Sequence, residues 1–380
     1  MLNAPKPEST YCSAPWTHLC SVPGNNSFQP CCGWSPEPNQ ETVPFDHQDP
    51  LNHPWMQQLR QRMLNNEYID GCNLCYMHEK DRDTSLRRNF DRMYGRVDEV
   101  RLRYVEINFG NLCNLKCRMC NSWASSKWIT DEIKLGKQHT PLLRRHVADS
   151  HIDLAELDRI RVTGGEPLMD QDQILSMLDT VVQHQGGLHN LTVDLINNGS
   201  FDMDPRLAEL LKSTKLTLLA TSVDGMGAVN EYQRTGSRWS ELATRLRHYD
   251  SCVISGKWHH QIALSLGALN VNQLMVFCDW IATELPHTSV ALQPIYHPLW
   301  QSVNNLPDAY KRQLIAELED WEPKSSQWGK MVSNTVCNLL RAPRNKDIEF
   351  MRNEIKKLDH LRDEDFAIID PRTYSVIFEN

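Results

Sequence analysis

The sequence predicts an α/β fold: a partial (βα)6 barrel of the TIM-like kind, with an irregular cysteine-rich domain before it and a mostly helical extension after it. Two observations predict this fold. The middle of the 380-residue chain alternates strand-like apolar runs with helix-like periodicity. The flanks differ in composition, because Pro, Trp, Asn and Cys are common in the first part and charged helical stretches in the last. We therefore predict domains at residues 1–98, 99–300 and 301–380.

The middle region carries six predicted strands, at residues 102–108, 159–163, 190–196, 215–222, 261–268 and 288–293. Helix-like stretches lie between them, at residues 122–136, 171–184, 205–213, 239–250 and 271–285. Strands that alternate with helices form parallel β/α units, and six such units suit an open barrel better than a closed eight-stranded one. Because chemistry in such barrels collects at the carboxyl ends of the strands, the residues that follow each strand are the candidate site.

The loop after the first of these strands carries three cysteines spaced C-x3-C-x2-C: Cys113, Cys117 and Cys120. Three thiolates can hold three irons of a cubane cluster and leave the fourth iron open to a small molecule. A zinc site would normally close with a fourth Cys or His. The nearest downstream histidines, His139 and His146, do not lie at zinc-finger spacing. The loop therefore predicts an iron–sulfur cluster with an open metal position.

The loop after the second strand reads Thr163-Gly164-Gly165-Glu166-Pro167. Two glycines let the backbone approach a ligand closely, and the Glu166 carboxylate can accept hydrogen bonds from an ammonium group. The alternative is an ordinary glycine turn with an exposed glutamate. The third strand is followed by Asn197-Asn198-Gly199, which is typical of a turn. Beyond the fourth strand, Arg234 offers a planar guanidinium for a carboxylate, with a surface ion pair as the alternative.

In chain order, the cysteine loop and these segments resemble the core of the radical S-adenosylmethionine (SAM) enzymes, over residues 100–300. In that family the Gly-Gly-Glu segment contacts the amino group of the methionine moiety, and the ribose and carboxylate contacts follow the fourth strand. Met119 is a departure, since the family more often has an aromatic residue before the third cysteine. The resemblance implies that SAM contacts Gly164, Gly165, Glu166, Asn198, Ser222, Asp224 and Arg234.

A second set of cysteines lies before the barrel: Cys12, Cys31, Cys32, Cys72 and Cys75. By chemistry alone four of them could bind zinc or an iron–sulfur cluster. The pattern resembles the twitch module of radical SAM proteins, a shortened relative of the SPASM module, placed here before the core. The resemblance implies an auxiliary cluster on Cys12, Cys32, Cys72 and Cys75, with Cys31 as the alternative to Cys32, and structural zinc is the other interpretation. We expect Trp16, Trp34 and Trp55 to pack around this centre.

Composition and charge disfavour several classes of function. The net charge is −8 and the basic residues are dispersed, which disfavours nucleic acid as a partner. The apolar runs fall short of the ~18 residues that a membrane span needs, so we expect no membrane partner. Residues 1–9 lack a basic segment followed by an apolar one, so we expect no secretory signal. These observations predict a cytoplasmic protein whose twelve cysteines are reduced.

The resemblance implies an enzyme that cleaves SAM reductively and abstracts hydrogen from a substrate. Its implied cofactors are a [4Fe-4S] cluster with an open iron, SAM and a second iron–sulfur cluster. A low-potential electron donor such as flavodoxin or ferredoxin is the implied partner. The expected substrate is a peptide or protein that becomes oxidised or crosslinked. The alternatives are a small metabolite or sugar as substrate, or a non-catalytic iron–sulfur or zinc protein, and the sequence assigns no catalytic side chain.

Overall fold

The structure, a computed structural model, describes residues 5–22, 26–36, 42–81, 85–147, 150–343 and 347–379. Residues 1–4, part of the segment in which we expect no secretory signal, lie outside these ranges. The chain divides into two compact units. Unit 1 comprises Met1–Asn111, Leu143–Leu195 and Asp204–Leu216, and unit 2 comprises Leu112–Leu142, Ile196–Met203 and Thr217–Asn380. The three domain ranges predicted from composition stay predictions.

Strands and helices alternate through the middle of the chain, and helices fill its last part. The strands are β1 (His18–Ser21), β2 (Ser27–Gln29), β3 (Val43–Pro44), β4 (Tyr104–Asn108), β5 (Arg159–Thr163), β6 (Thr192–Asn197), β7 (Leu216–Ser222), β8 (Trp258–Leu266) and β9 (Ser289–Pro294). The helices are α1 (Ala14–Thr17), α2 (Pro54–Leu64), α3 (Asn73–Asp81), α4 (Leu86–Tyr94), α5 (Trp128–Lys134), α6 (Gln171–Gln185), α7 (Pro205–Lys212), α8 (Gly227–Gln233), α9 (Trp239–Cys252), α10 (Leu274–Glu284), α11 (Asp308–Asp320), α12 (Gly329–Arg341), α13 (Ile348–Arg362), α14 (Phe366–Ile369) and α15 (Pro371–Phe378). The predicted α/β class with a helical C-terminal part is confirmed.

In unit 1 the cysteine-rich N-terminal region adds strands to the predicted sheet. β1 pairs in parallel with β4, with Leu19 opposite Val105, and β4 and β5 continue the parallel pairing towards β6. β2 lies antiparallel between β1 and β3. The sequence does not predict β1, because all four of its residues are buried and the strand therefore lacks the alternation that marks a half-buried strand.

In unit 2, β7, β8 and β9 pair in parallel. Burial alternates along β8, and Ile262, Leu264 and Leu266 point into the core while the residues between them are partly exposed. The same core cluster includes Leu314 of α11 and Ile355 of α13. The C-terminal helices are therefore part of the unit's core. Each buried side chain of this kind contributes about 1.5–3 kcal/mol of transfer free energy to folding.

One predicted helix is shorter than expected. The pattern predicts a helix over residues 122–136, whereas α5 begins at Trp128. The preceding segment is held in turns by side-chain contacts to the cysteine loop: Ser125 Oγ donates to the Leu115 carbonyl at 2.5 Å, and Ser126 Oγ accepts from the Cys113 amide at 3.2 Å. Serine hydroxyls that bond to the backbone in this way compete with helix formation.

No helix in the part of the chain that the structure describes is long and apolar enough to span a bilayer.

Candidate functional site

The three cysteines of the loop lie together in unit 2 and form no disulfide, with Cys113 and Cys117 buried and Cys120 half-buried. Donors surround their sulfur atoms. The Leu115 amide donates to Cys113 Sγ at 3.5 Å, and a guanidinium nitrogen of Arg234 donates to Cys117 Sγ at 3.8 Å. Hydrogen bonds to sulfur stabilise the thiolate, which is the form that binds metal.

The charge around Cys117 favours its ionised form. Cys120 hydrogen-bonds to Cys117 and the Arg234 guanidinium lies nearby, so the pKa of the Cys117 thiol is lowered to about 7 despite its burial. The same hydrogen bond and burial raise the pKa of Cys120. One thiolate is therefore accessible near neutral pH before any metal is bound.

The backbone of the cysteine loop is fixed by the segment that follows α8. The Lys116 amide donates to the Thr235 carbonyl at 3.0 Å, and the Arg118 amide donates to the Gln233 carbonyl at 2.8 Å. Trp128 Nε1 donates to the Cys117 carbonyl at 2.8 Å. Gly236 lies close against the loop at φ +102°, and a Cβ there would stand 3.4 Å from the Asn114 carbonyl oxygen. These contacts between protein groups define the conformation of the cysteine loop.

The donor set fits a cubane cluster with one open iron. Three soft thiols, without a fourth protein ligand in the loop, match the ligation that such a cluster needs. Among the described residues, no three His, Cys, Asp or Glu side chains are arranged around one common metal ion. That observation concerns single ions, because each thiolate of a cubane binds a different iron.

Asp224 and Arg234 form a buried ion pair in unit 2, with Nε and Oδ2 2.8 Å apart. Asp224 Oδ1 also accepts from the Ser265 amide at 2.8 Å, and the Asn270 side chain donates to the Asp224 carbonyl at 2.8 Å. Burial lowers the pKa of Arg234, but Asp224 and Cys117 outweigh this and raise it. With 7% of its surface exposed, Arg234 is not the surface ion pair that the sequence leaves open.

The other two predicted contacts in unit 2 have different surroundings. Ser222 is the last residue of β7, half-buried and paired with Ala263 of β8. Asn198 is buried, and its Nδ2 donates to Asn114 Oδ1 at 2.9 Å and reaches Cys113 Sγ at 3.9 Å. Asn198 thus supports the cysteine loop directly, which its turn-like sequence context does not reveal.

The Gly-Gly-Glu segment lies in unit 1, where it follows β5. Gly164 has φ +142°, and a Cβ there would stand 3.0 Å from the Gly110 carbonyl oxygen. The Gly165 amide donates to the same oxygen at 2.8 Å. Glu166 is 3% exposed, and its Oε1 accepts from the Leu168 amide at 2.9 Å. The glutamate is therefore buried, unlike in the simple exposed turn that the sequence alone permits.

Four cysteines of the second set lie within mutual electrostatic reach in unit 1. Burial, followed by the charge of one another, raises the pKa of the thiols of Cys12, Cys31 and Cys72 well above its usual value. Cys75 belongs to this group, because its charge acts on each of the other three thiols. These thiols are therefore neutral near pH 7, and only a bound metal would favour their ionised form.

The exposed Cys32 has different neighbours. Its thiol hydrogen-bonds to Glu106 of β4 and lies near Arg161 of β5. The chain turns here, because the Trp34 amide donates to the Cys31 carbonyl at 3.1 Å, and the two neighbouring thiols have different partners.

Tryptophans pack beside the segments that carry these cysteines. The Trp34 ring covers Gly71, where a Cβ would stand only 2.4 Å from ring atoms, and it meets Trp55 edge-on at 5.5 Å. Trp16 packs on Tyr11, with ring centroids 5.1 Å apart. Aromatic area supplies much of the burial in a region with short strands and helices.

The region that contains the cysteine loop is similar to known proteins. Residues 107–249 match the family model described as the radical SAM superfamily. GTP 3′,8-cyclase of Alkaliphilus oremlandii is 26% identical over 157 residues, which are 41% of this chain and 45% of that protein. GTP 3′,8-cyclase 3 of Mycobacterium bovis is 28% identical over 168 residues, 44% of this chain and 38% of that protein. The chain thus spans less than half the length of these curated relatives.

Solved structures also resemble the chain. anSMEcpe with bound AdoMet has a TM-score of 0.38 at 16% identity and covers 58% of this chain and 60% of its own. SuiB of Streptococcus suis has a TM-score of 0.35 at 15% identity and covers 57% of this chain and 46% of its own. The family match spans the cysteine loop, the Gly-Gly-Glu segment and the Asp224–Arg234 pair. Residues 107–249, which hold all of these side chains, are thus the part of the chain that matches the radical SAM superfamily.

Proposed function

We propose that this chain is a radical SAM enzyme whose Cys113, Cys117 and Cys120 hold a [4Fe-4S] cluster with one open iron, and that its substrate is a peptide or protein. When bound, the cluster and SAM supply a one-electron cleavage that gives methionine and a 5′-deoxyadenosyl radical able to abstract hydrogen. The observation that carries the proposal is the group of three adjacent cysteines outside any disulfide, with an Arg234 donor at Cys117 Sγ.

The proposed roles of the remaining residues follow from their charge and surroundings. In unit 2, Arg234 supports the Cys117 thiolate and offers further N–H groups to the SAM carboxylate, with Asp224 fixing its orientation. Ser222 and Asn198 are proposed as further contacts. In unit 1, Glu166 is proposed to accept from the SAM amino group, and Gly164 and Gly165 to present backbone. Burial of the Arg234 and Glu166 side chains limits the access of water to these groups.

A second iron–sulfur cluster is proposed on Cys12, Cys31, Cys72 and Cys75. The charges of these four thiols act on one another, whereas the Cys32 charge acts on Cys31 among them and the Cys32 thiol is engaged by Glu106. This observation favours Cys31 as the fourth ligand. The sequence alone slightly favours Cys32. Zinc is the competing metal, and colour separates the two, because a thiolate-bound iron–sulfur cluster absorbs broadly in the visible range and zinc is colourless.

The substrate class has two candidates. The peptide proposal rests on the resemblance of the cysteine-rich region to auxiliary-cluster modules, whose owners often modify peptides. A guanine nucleotide is the second candidate, favoured by the relatives named GTP 3′,8-cyclase. Stimulation of SAM cleavage separates them: GTP should accelerate 5′-deoxyadenosine release only if the second candidate is correct. A low-potential donor such as flavodoxin or ferredoxin is proposed as the physiological reductant.

The test of the proposed function is release of 5′-deoxyadenosine from SAM by anaerobically reconstituted protein with a strong reductant. Cys117→Ala should abolish release, because it removes the ligand that carries the accessible thiolate. Cys278→Ala is the matched control, since Cys278 is a buried free cysteine of α10 in the same unit. Full release by Cys117→Ala would contradict the proposal, and so would no release by wild-type protein with verified clusters and either candidate substrate.

A further inference from the structure

The end of α13 and the turn after it contact the cysteine loop in unit 2 through three charged residues. We name Asp359, Arg362 and Glu364 the C-terminal clamp. They act on Arg118, which stands between Cys117 and Cys120, and on Asp131 of α5. The side chains of Arg118 and Arg362 are both fully shielded from solvent, so their partners have to be supplied by the protein.

Arg118 has several partners in unit 2. Its guanidinium lies 3.6 Å from the centroid of the Tyr232 ring, and its Nε donates to the Tyr232 carbonyl at 3.1 Å. One terminal nitrogen donates to Asp359 Oδ1 at 2.5 Å and also to Glu364. Tyr232 completes the arrangement, because its hydroxyl donates to Asp359 Oδ1 at 2.9 Å. A side chain fixed this closely restricts the backbone between two cluster ligands.

Arg362 acts on the other side of the loop. It donates to Asp131 Oδ2 at 2.9 Å and to Thr235 Oγ1 at 3.2 Å, and it lies 4.5 Å above the Trp128 ring. Trp128 in turn donates to the Cys117 carbonyl. Lys116, a residue of the loop itself, donates to Asp131 Oδ1 at 3.1 Å. Arg362 thus orders the indole and the carboxylate that contact the loop.

The turn after α13 has the geometry that this contact requires. Asp363 adopts a left-handed conformation at φ +55°, which reverses the chain at the end of the helix. The Glu364 amide then donates to the Asp359 carbonyl at 3.0 Å, and Glu364 Oε1 accepts from Thr235 Oγ1 at 2.9 Å. The Phe366 ring stacks on Tyr232, with centroids 5.3 Å apart.

We propose that the C-terminal clamp positions the cluster loop for SAM binding, with Arg118 as the positioning residue. The C-terminal extension is then a working part of the SAM-cleaving site. The inference rests on the proposed radical SAM function and adds residues that lie outside the family match at 107–249. Its physical basis is that Asp359 and Glu364 fix Arg118, and Arg118 fixes the spacing of Cys117 and Cys120. Release of Arg118 would let the loop shift and misplace the open iron relative to bound SAM.

The test compares variants by electron paramagnetic resonance of the reduced cluster with and without SAM, and by SAM affinity. Glu364→Gln should reduce the SAM-induced change of the spectrum and weaken SAM binding about tenfold, a factor that corresponds to about 1.4 kcal/mol. Thr235→Val, an isosteric change that leaves every charge paired, should act in the same direction but less. Glu364→Asp keeps the charge at this position, so it should retain part of the SAM-induced spectral change and part of the SAM affinity that Glu364→Gln loses.

Asp250→Asn is the control for a general loss of stability. Asp250 is also buried, and it accepts from the His287 amide at 2.9 Å and from Thr288 Oγ1 at 2.6 Å, neither of which belongs to the cysteine loop. It should lower the thermal midpoint and leave the SAM-induced spectrum as in the wild type. Wild-type spectra and affinity in both Glu364→Gln and Thr235→Val would overturn the clamp while the proposed function stood. A wild-type protein without any SAM-dependent signal would instead contradict the proposed function.

Discussion

At the scale of single residues, the adjacent pair Cys31 and Cys32 shows how two identical side chains acquire different chemistry. Cys31 lies within the electrostatic reach of Cys12 and Cys75, whereas the Cys32 thiol is engaged by Glu106. Sequence spacing alone does not show which of the two is the ligand, because their separations from Cys72 and Cys75 along the chain differ by only one residue. The direction of each side chain decides, and that direction depends on the backbone between β2 and the following turn.

This difference gives a prediction for metal content. Cys31→Ser should lose the auxiliary cluster, and iron and acid-labile sulfide per chain should fall by about half if both clusters are cubanes. Cys32→Ser is the matched control and should keep the wild-type content. The measurement is iron and sulfide analysis of anaerobically reconstituted protein with the visible spectrum recorded alongside. Loss of iron in Cys32→Ser with full content in Cys31→Ser would reverse the assignment.

At the scale of secondary structure, β8 carries a buried histidine in a defined protonation state. His260 Nδ1 lies 2.8 Å from Thr288 Oγ1, and Nε2 lies 3.2 Å from Thr221 Oγ1. The Thr288 hydroxyl donates its proton to Asp250, so it accepts from Nδ1–H of His260. In the neutral ring that burial favours, Nε2 then accepts from the Thr221 hydroxyl at 3.2 Å. Burial lowers the pKa of His260 from 6.5 to about 3.

This histidine makes folding pH-dependent in a known direction. Between pH 6.5 and about 3 the unfolded chain binds a proton at this position that the folded chain does not. The stabilising contribution is complete above pH 6.5 and is lost as the pH falls through that window. The full loss would be roughly a few kcal/mol, at about 1.4 kcal/mol for each unit of pKa difference.

The test compares a substitution of His260 with the same substitution of the neighbouring His259. His260→Gln should lower the free energy of unfolding at pH 7 by about 1–3 kcal/mol through lost buried hydrogen bonds, and flatten its decline between pH 6.5 and 5. His259→Gln, on the exposed face of β8, should change both far less, because burial is the larger cause of the lowered pKa of His260 and the His259 charge the smaller one. Some decline should persist in His260→Gln, because burial also lowers the pKa of His18 to about 3. Urea unfolding at the two pH values is the measurement, and an unchanged slope in His260→Gln would refute the account.

At the scale of the whole molecule, local chemistry is predictable from sequence and long-range contacts are not. The C-x3-C-x2-C spacing and the Gly-Gly-Glu segment stand on short loops after strands, so their chemistry can be read within a few positions. The clamp is different, because Arg118 and Asp359 are 241 positions apart and nothing near either residue indicates the other. β1 escapes prediction for a related reason: its pairing with β4 spans a long separation, and its four buried residues show no alternation.

The N-terminal region makes a prediction about metal removal, because its proposed ligands come from three separate segments of the chain. Cys12 precedes α1, Cys31 follows β2, and Cys72 and Cys75 stand at the start of α3. A cluster that joins these segments lowers the conformational entropy of the unfolded chain, because it crosslinks distant positions. In addition, a metal that binds only the folded state adds its binding free energy to the stability of that state. Removal of the auxiliary cluster should therefore destabilise unit 1 by several kcal/mol.

Limited proteolysis and thermal unfolding of reconstituted and metal-free protein provide the measurement. Metal-free protein should unfold at a lower temperature and be cleaved first in the segments around these cysteines. Cys31→Ser should behave like metal-free protein in this region even after reconstitution. Cys117→Ala should keep the protection there, since its ligand belongs to the other cluster. If both variants lost protection equally, the two clusters would not contribute independently to stability, and the proposed division of cysteines between them would have to be abandoned.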